Sequence, residues 1–138
     1  MFQIEWNEKY EVGNPEIDSE HKIFVRILQK IICSSEKKEN HAFTERLIYQ
    51  IYKYADFHFF SEETLMMEIH YPAMTEHKQE HDMLLMELRN NISVTGNENY
   101  QRPLDDFIRF VTDWFVSHTV KMDKKLADFI EKNKVCTC

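Results

Sequence analysis

The sequence predicts an all-α protein, an up-down-up-down four-helix bundle with an extended N-terminal arm and a short C-terminal helix. Glycine and proline are scarce, with two and three copies in 138 residues, and they lie at the edges of apolar segments. Four segments repeat apolar residues at the spacing of one helix face, and the polar stretches between them are short. A chain of this length suits one core, so residues 1–138 are expected to form a single domain.

The N-terminal segment is expected to contain the arm and the first long helix. Residues 1–17 are predicted to be extended, and Asp18 or Ser19 is placed to cap a helix that ends near Glu36. Cys33 lies in the apolar stretch of this helix and is expected in the core. The stripe that faces the core consists of Phe24, Val25, Leu28, Ile31 and Ile32.

The rest of the chain predicts three more long helices and a short one. A polar run, SSEKKEN, precedes a second helix over about 41–69, and Pro72 suits the first turn of a third helix. The polar segment SVTGNENYQ is expected to be a loop, and Pro103 to open a fourth helix. A short helix is expected over about 124–133, followed by a flexible tail over 134–138.

Charge and composition argue against several classes of protein. The chain has 17 basic and 24 acidic residues and no basic patch, so no nucleic-acid partner is expected. No apolar run approaches the roughly 20 residues that span a bilayer, and no secretory signal is visible. Three cysteines do not make a disulfide framework, so the cytoplasm is the expected location. Cys136 and Cys138 are expected to lie in an exposed tail without a role, and the alternative is that this thiol pair binds metal or senses redox state.

Five of the seven histidines lie on the apolar stripes of the four long helices. A single histidine on such a stripe is more often a hydrogen-bonded core residue than a ligand. Five that converge from four helices have no reason to cluster unless something binds them, and metal is the obvious candidate. The five are His21, His58, His77, His81 and His118. His41 and His70 are expected at the surface, near helix ends.

The spacing of these histidines adds carboxylates to the cluster. Two pairs stand one helical turn apart and can each aim at one point: His58 with Glu62, and His77 with His81. Glu63 is expected to point elsewhere, and Glu80 to be a solvated charge. Asp123 follows His118 by five positions, roughly 140° out of line on a straight helix. Either Asp123 is not a ligand or the helix loosens or ends there, and a wide turn or a helix terminus is expected near residues 120–123.

The number of donors favours two metal ions. Five histidines and two carboxylates exceed what one ion holds at short bond lengths, whereas two ions can share Glu62 and Asp123 as bridges. One ion then has five protein donors, through His77, His81 and His118, and the other has four, through His21 and His58. A solvent-derived oxo or hydroxo bridge brings them to six and five, which leaves one position open for a small ligand.

Four stretches of the sequence together resemble the hemerythrin family, specifically its single-domain bacterial members. They are, in this order, WNEKYEVGNPEIDSEH, HFFSEE, HKQEH and WFVSHTVKMD, and the resemblance extends over nearly the whole chain. The resemblance implies two Fe ions with an oxo or hydroxo bridge, both bridged by Glu62 and Asp123. It also implies reversible O2 binding at the iron held by His21 and His58, in an oxygen carrier rather than an enzyme.

The resemblance also suggests an apolar oxygen pocket and few partners. The pocket candidates are Phe24, Phe59, Trp114 and Val120, whose alternative role is ordinary core packing. After His118 the chain has Thr119 and Val120, where the family more often has larger aliphatic residues, and Glu20 stands where Gln is frequent. We expect a monomer or weak oligomer whose only defined partner is O2, with an unidentified protein as its recipient.

Three other functions compete with oxygen carriage. The pattern H-x-x-E-H in HKQEH is that of a zinc-peptidase helix, but a peptidase needs a third zinc ligand and a substrate cleft. A diiron oxidase or peroxidase is a second alternative, although such enzymes use more carboxylate donors. A sensor of O2, redox state or iron, acting through a partner protein, is a third.

Overall fold

The computed structural model describes residues 3–37, 41–92 and 101–133, and it confirms the predicted four-helix bundle. Its α-helices are α1 Pro15–Lys37, α2 His41–Glu68, α3 Met74–Ile92, α4 Gln101–His118 and α5 Lys124–Lys132. A 3-10 turn, Glu8–Tyr10, lies in the arm, and a π-helical segment, Thr119–Asp123, joins α4 to α5. The predicted loop residues 93–100 and the predicted tail 134–138 lie outside the described residues.

The four long helices enclose one core that runs along the bundle. Helix α1 packs against α2 and α4, and α3 packs against α2 and α4, so each long helix has two neighbours. The largest side chains with no exposed surface include Leu28, Ile51, Leu88 and Leu104, one from each helix. A smaller apolar cluster around Met66 and Leu126 lies at the end of the bundle near α5. Along each long helix, the metal-site candidates lie where these two apolar clusters meet.

The first helix begins earlier than predicted, and the extended arm is correspondingly shorter. Pro15 occupies its first turn, where a missing N–H costs nothing, and the Asn14 side chain accepts a hydrogen bond from the Ile17 amide at 3.0 Å. Asp18 is therefore not the cap. Its buried carboxylate instead accepts from the amides of Val12 at 2.8 Å and Gly13 at 3.2 Å, which fixes the arm to α1.

One further expectation about a single residue needs correction. Cys33 is exposed, because it lies one position beyond the buried pair Ile31 and Ile32 and rotates off the core stripe. The predicted short C-terminal helix exists, but it continues the axis of α4 through the π-helical segment, since the residues on either side of that segment are also helical. None of the helices in the described parts of the chain combines the length and apolarity that crossing a bilayer requires.

Candidate metal centre

All seven residues predicted to bind metal meet inside the bundle. Each is at most 4% exposed, which is unusual for so many ionisable side chains. The seven are His21 from α1, His58 and Glu62 from α2, His77 and His81 from α3, His118 from α4 and Asp123 from the π-helical segment. Together, α4, this segment and α5 are called the fourth helical rod. The two other histidines, His41 and His70, are exposed, as the sequence predicts.

The π-helical segment brings Asp123 into the cluster. The amide of Lys124 bonds the carbonyl of Thr119, five residues earlier, so this turn contains one residue more than an α-helical turn. The extra residue carries Asp123 to the side of the rod that His118 faces, and their side chains come within 3.1 Å. The wide turn predicted from the five-residue spacing is confirmed.

The two oxygens of Glu62 face different groups of histidines. Its Oε2 atom lies 3.1 Å from Nε2 of His58. Its Oε1 atom lies 2.6 Å from Nε2 of His77 and 3.4 Å from Nε2 of His81. A carboxylate divided in this way is placed to bridge two neighbouring positions.

Asp123 is divided in the same manner. Its Oδ2 atom lies 3.0 Å from Nε2 of His21. Its Oδ1 atom lies 3.0 Å from Nε2 of His77 and 3.1 Å from Nε2 of His118. Both carboxylates therefore turn one oxygen toward a three-histidine side and the other toward a two-histidine side.

Two overlapping sets of possible metal donors result from this arrangement. Within each set, the donor atoms lie within 4.8 Å of one another. The larger set is Glu62, His77, His81, His118 and Asp123, and the smaller set is His21, His58, Glu62 and Asp123. The five-and-four division that the sequence predicts is thus present in the positions of the side chains.

Burial and charge oppose each other throughout the cluster. Burial disfavours the imidazolium of His58, but the Glu20 and Glu62 carboxylates outweigh burial and raise its pKa to about 10. Burial likewise opposes protonation of His77, but Asp123 and Glu62 raise its pKa to about 9. Burial and Asp123 favour the neutral form of Glu62, yet the surrounding imidazoles hold its pKa below the usual range. The carboxylates are thus anionic and attract positive charge.

The donor set fits a metal centre. Several buried polar atoms form no hydrogen bond of good geometry in spite of short contacts with neighbouring groups, and four of them face the shared space: both oxygens of Glu62 and the Nε2 atoms of His81 and His118. Buried polar groups are normally paired, so orphaned atoms converging on one point indicate an absent partner. Imidazole nitrogens and carboxylate oxygens are the donors that transition metals such as iron and zinc accept.

Three glutamates hold the outer nitrogens of the histidines. The carboxylates of Glu20, Glu63 and Glu80 lie 2.9 Å, 2.9 Å and 3.2 Å from the Nδ1 atoms of His58, His81 and His118, respectively. Such contacts orient an imidazole so that its Nε2 atom faces the metal and is more basic. Glu63 points away from the space between the metal donors, as its spacing predicts, but it contacts the outer nitrogen of His81. Glu80, predicted to be a solvated charge, contacts the outer nitrogen of His118 as well.

The sequence did contain a signal for these glutamates. Each is adjacent in the chain to a predicted ligand, with Glu20 before His21, Glu63 after Glu62 and Glu80 before His81. Adjacent residues point about 100° apart on a helix, which argues against one shared target. In a bundle the same angle directs the neighbour's side chain toward the next helix, where each glutamate finds another helix's histidine.

Aromatic rings surround the cluster. Phe59 stacks on the imidazole of His81, with ring centres 4.0 Å apart, and Trp114 stacks on His118 at 4.3 Å. Phe24 stacks on Phe115, a residue not singled out from the sequence, and the edge of Phe115 lies against His21 on the two-histidine side. Three of the four pocket candidates therefore lie in the rings around the site.

Val120, the fourth pocket candidate, does not line the site. Its side chain is 45% exposed, whereas its neighbour Thr119 is only 1% exposed. The wide turn explains the difference in exposure. It turns His118 and Asp123 inward and leaves Val120 on the outer surface of the π-helical segment. The prediction for Val120 is wrong, and Thr119 is the polar departure that lies in the interior.

Comparisons with known proteins agree with this site. A family profile described as "Hemerythrin HHE cation binding domain" matches residues 12–130. The chain is 25% identical over 129 residues to the bacteriohemerythrin of Clostridium acetobutylicum, which covers 89% of this chain and 98% of that relative. It is 31% identical over 110 residues to the bacteriohemerythrin of Methylococcus capsulatus, over 78% and 80% of the two chains.

Solved structures lead to the same family. A crystal structure of wild-type hemerythrin matches this fold with a TM-score of 0.77 and 27% sequence identity, over 91% of this chain and 95% of that chain. The bundle and the buried histidine–carboxylate cluster that could hold metal lie within the matched residues 12–130. On the profile, the relatives and the fold together, the chain belongs to the hemerythrin family.

Proposed function

We propose that this protein binds O2 reversibly at two iron ions held by the seven-residue cluster. The observation that carries the proposal is the unequal sharing of donors, since both carboxylates contribute to both donor sets but the histidines divide three to two. When bound, the iron pair would supply the electrons and the open coordination position that O2 requires. The relatives named bacteriohemerythrin support iron over other metals.

The side chains on the two-histidine side suit a small apolar ligand. His21 and His58 contribute only two nitrogens there, so this ion has room for one more ligand. The centre of the Phe115 ring lies 5.6 Å from that of His21 in a T-shaped arrangement, with Phe24 stacked on Phe115, and both phenyl rings are buried. On the face of His21 that they cover, these rings exclude water and anions, whereas O2 passes apolar surroundings easily.

The composition of the cluster supports oxygen carriage over oxidation chemistry. Histidine is a neutral donor, and the two donor sets contain five histidines but only two carboxylates. Fewer anionic donors make high-valent iron harder to reach. We therefore propose a carrier without a catalytic cycle, and a zinc peptidase is disfavoured because His77 and His81 are committed to this buried cluster. Cytoplasmic location, a monomeric or weakly associated state and a protein recipient of O2 stay predictions.

Anaerobic loading with ferrous iron tests the proposal. The metal-free protein should take up two irons per chain, gain a visible absorption band in air and lose that band under argon. His58→Ala should abolish the reversible band, while His41→Gln, outside the cluster, should keep it. A stable uptake of one iron, or a band that never disappears under argon, would contradict reversible carriage at a pair.

A further inference from the structure

A surface cleft between the first turns of α1 and the second half of α2 ends at the two-histidine side of the cluster. Its volume is about 370 Å³, and its lining includes exposed residues as well as two members of the cluster. The buried pair, His58 and Glu62, forms its inner end. The cleft therefore connects the surface to atoms that are otherwise enclosed.

The lining of the cleft is acidic. Glu16 from α1 and Glu68 from α2 are exposed and stand at its outer part, while Glu20 is only partly exposed. None of the described residues that line the cleft is a lysine or arginine. Glu16 and Glu20 stand one turn apart on α1, so their carboxylates lie along one face from the outside inward.

The inner end of the cleft carries buried carboxylate oxygens without a well-formed hydrogen bond. Glu62 is 3% exposed, and its two oxygens lie 3.1 Å and 2.6 Å from Nε2 of His58 and His77 without hydrogen-bond geometry. Glu20 lies beside it, with its Oε1 atom 2.9 Å from Nδ1 of His58. A graded series of carboxylates that ends on an orphaned buried carboxylate attracts cations and repels anions.

We propose that this cleft is the entry route for the divalent metal ions of the cluster. Glu16 and Glu68 gather the cation from solvent, and Glu20 passes it inward. Glu62 then binds it through an oxygen that already faces His58. The inference rests on metal binding by the cluster, but it does not depend on O2 binding.

The rate of metal uptake tests this route. Metal-free protein is mixed with Co²⁺, and binding is followed by the absorption of the bound ion and by quenching of tryptophan fluorescence, since Trp114 stacks on His118. The double variant Glu16→Gln/Glu68→Gln should take up Co²⁺ about 5- to 10-fold more slowly than the unmodified protein, because two steering charges are lost. The final number of bound ions should be unchanged.

A control variant with the same net charge isolates position from total charge. Glu36→Gln/Glu45→Gln removes two exposed carboxylates near the opposite ends of the same helices, and its uptake rate should stay within twofold of the unmodified protein. Added salt should slow Co²⁺ uptake by the unmodified protein more than uptake by the cleft variant. Salt screens the charges of Glu16 and Glu68, which the variant no longer carries. Thr64→Lys, an exposed position in the cleft lining, should slow uptake as well.

The possible results separate this inference from the proposed function. Equal uptake rates in the cleft variant and the control would overturn the entry route while leaving the metal centre intact. Failure of the unmodified protein to bind Co²⁺ at all would overturn the metal centre and the route together. Slow uptake with a normal final count, confined to the cleft variants, would establish the route whether or not the iron form binds O2.

Discussion

Glu20 shows how a single carboxylate influences the site without facing the metal space. It bonds the outer nitrogen of His58, and its backbone carbonyl accepts a hydrogen bond from the hydroxyl of Tyr54 at 2.9 Å. The backbone contact fixes the start of α1 against α2, and the carboxylate fixes the ring of His58. The orientation of one ligand thus depends on the packing of two helices.

The variant Glu20→Gln should weaken binding of one of the two metals. The amide oxygen still accepts the hydrogen bond from His58, but the negative charge that makes the imidazole a better donor is lost. Loss of such partners commonly lowers metal affinity 10- to 100-fold, and a conservative change should fall near about 10-fold. Competition with a coloured chelator measures the metal affinity of the variant and of the unmodified protein.

The matched change on the other side is Glu63→Gln, which should weaken the ion on the three-histidine side, because Glu63 bonds His81. Glu45→Gln, an exposed change, should leave both affinities unchanged. Equal metal affinities for Glu20→Gln and the unmodified protein would show that the negative charge of Glu20 does not strengthen metal binding through His58.

Phe59 and Phe60 provide a test of packing at adjacent positions. Phe59 is 3% exposed and stacks on His81, whereas Phe60 is 71% exposed. Phe59→Ala should lower the free energy of unfolding by about 3–5 kcal/mol, since it removes a buried ring and leaves a cavity. Phe60→Ala should change it by less than about 0.5 kcal/mol. Urea unfolding of the metal-free variants gives both values, and similar losses at the two positions would contradict the burial.

The π-helical segment is the structural element on which the cluster most depends. On an ordinary α-helix Met122 would follow His118 by one turn, and Asp123 would rotate away. The single extra residue places Asp123 inward at 1% exposure while α5 continues the rod. π-bulges of this kind are rare and frequent at functional sites, which is consistent with a ligand position that needs an unusual turn.

Deleting Lys121, an exposed residue of this segment, should preserve metal binding. The deletion removes the extra residue, so the segment closes as an α-helix with His118 and the aspartate four positions apart on one face. Deleting Ser117, equally exposed but just before His118, should rotate His118 by about 100° and cost a metal. The number of metal ions bound by each deletion variant tests this prediction. Loss of metal in the Lys121 deletion alone would mean that the widened turn itself is required.

At the scale of the whole molecule, the bundle encloses a charged interior that a metal-free chain must neutralise with protons. His58 and His77 have pKa values of about 10 and about 9, and the pKa of His118 is also raised, where burial is outweighed by Asp123. The pKa of Asp123 is held below its usual range, because His118, His21 and His77 outweigh burial. Metal binding must therefore displace protons from imidazoles.

The metal-free protein should lose stability as pH rises from neutral to alkaline. A histidine with a raised folded pKa contributes its full stabilisation below the ordinary value of 6.5, and that contribution is lost as pH rises through about 9 to 10. Glu62 and Asp123, whose pKa values are lowered, contribute above their ordinary values of 4.5 and 3.8 and lose that contribution on acidification. The metal-free form should thus be most stable at mildly acidic pH.

Urea unfolding of the metal-free protein across this range checks the prediction. The metal-loaded protein should not show the alkaline loss, because metal ligation requires neutral imidazoles and replaces the protons. A metal-free protein whose stability rises between neutral and alkaline pH would contradict the charge pairing in the cluster.

The sequence alone determined the bundle and the set of candidate metal-binding residues. Apolar residues at helical spacing fix which face of each helix is buried, and residues four apart share that face, so His58 with Glu62 and His77 with His81 follow from local geometry. The five-residue spacing from His118 to Asp123 predicted a wide turn or a helix end, because such a spacing cannot serve one target on a straight helix, and the structure chose the wide turn.

Only the tertiary structure decided which side chains support those ligands. The partners of Glu20, Glu63 and Glu80 are histidines 38, 18 and 38 residues away, on other helices, and no local spacing encodes such a distance. Tertiary packing likewise placed Thr119 inside and Val120 outside, and it opened the acidic cleft between α1 and α2. Spacing along a helix fixes direction, but the contact that a direction meets depends on how the helices pack.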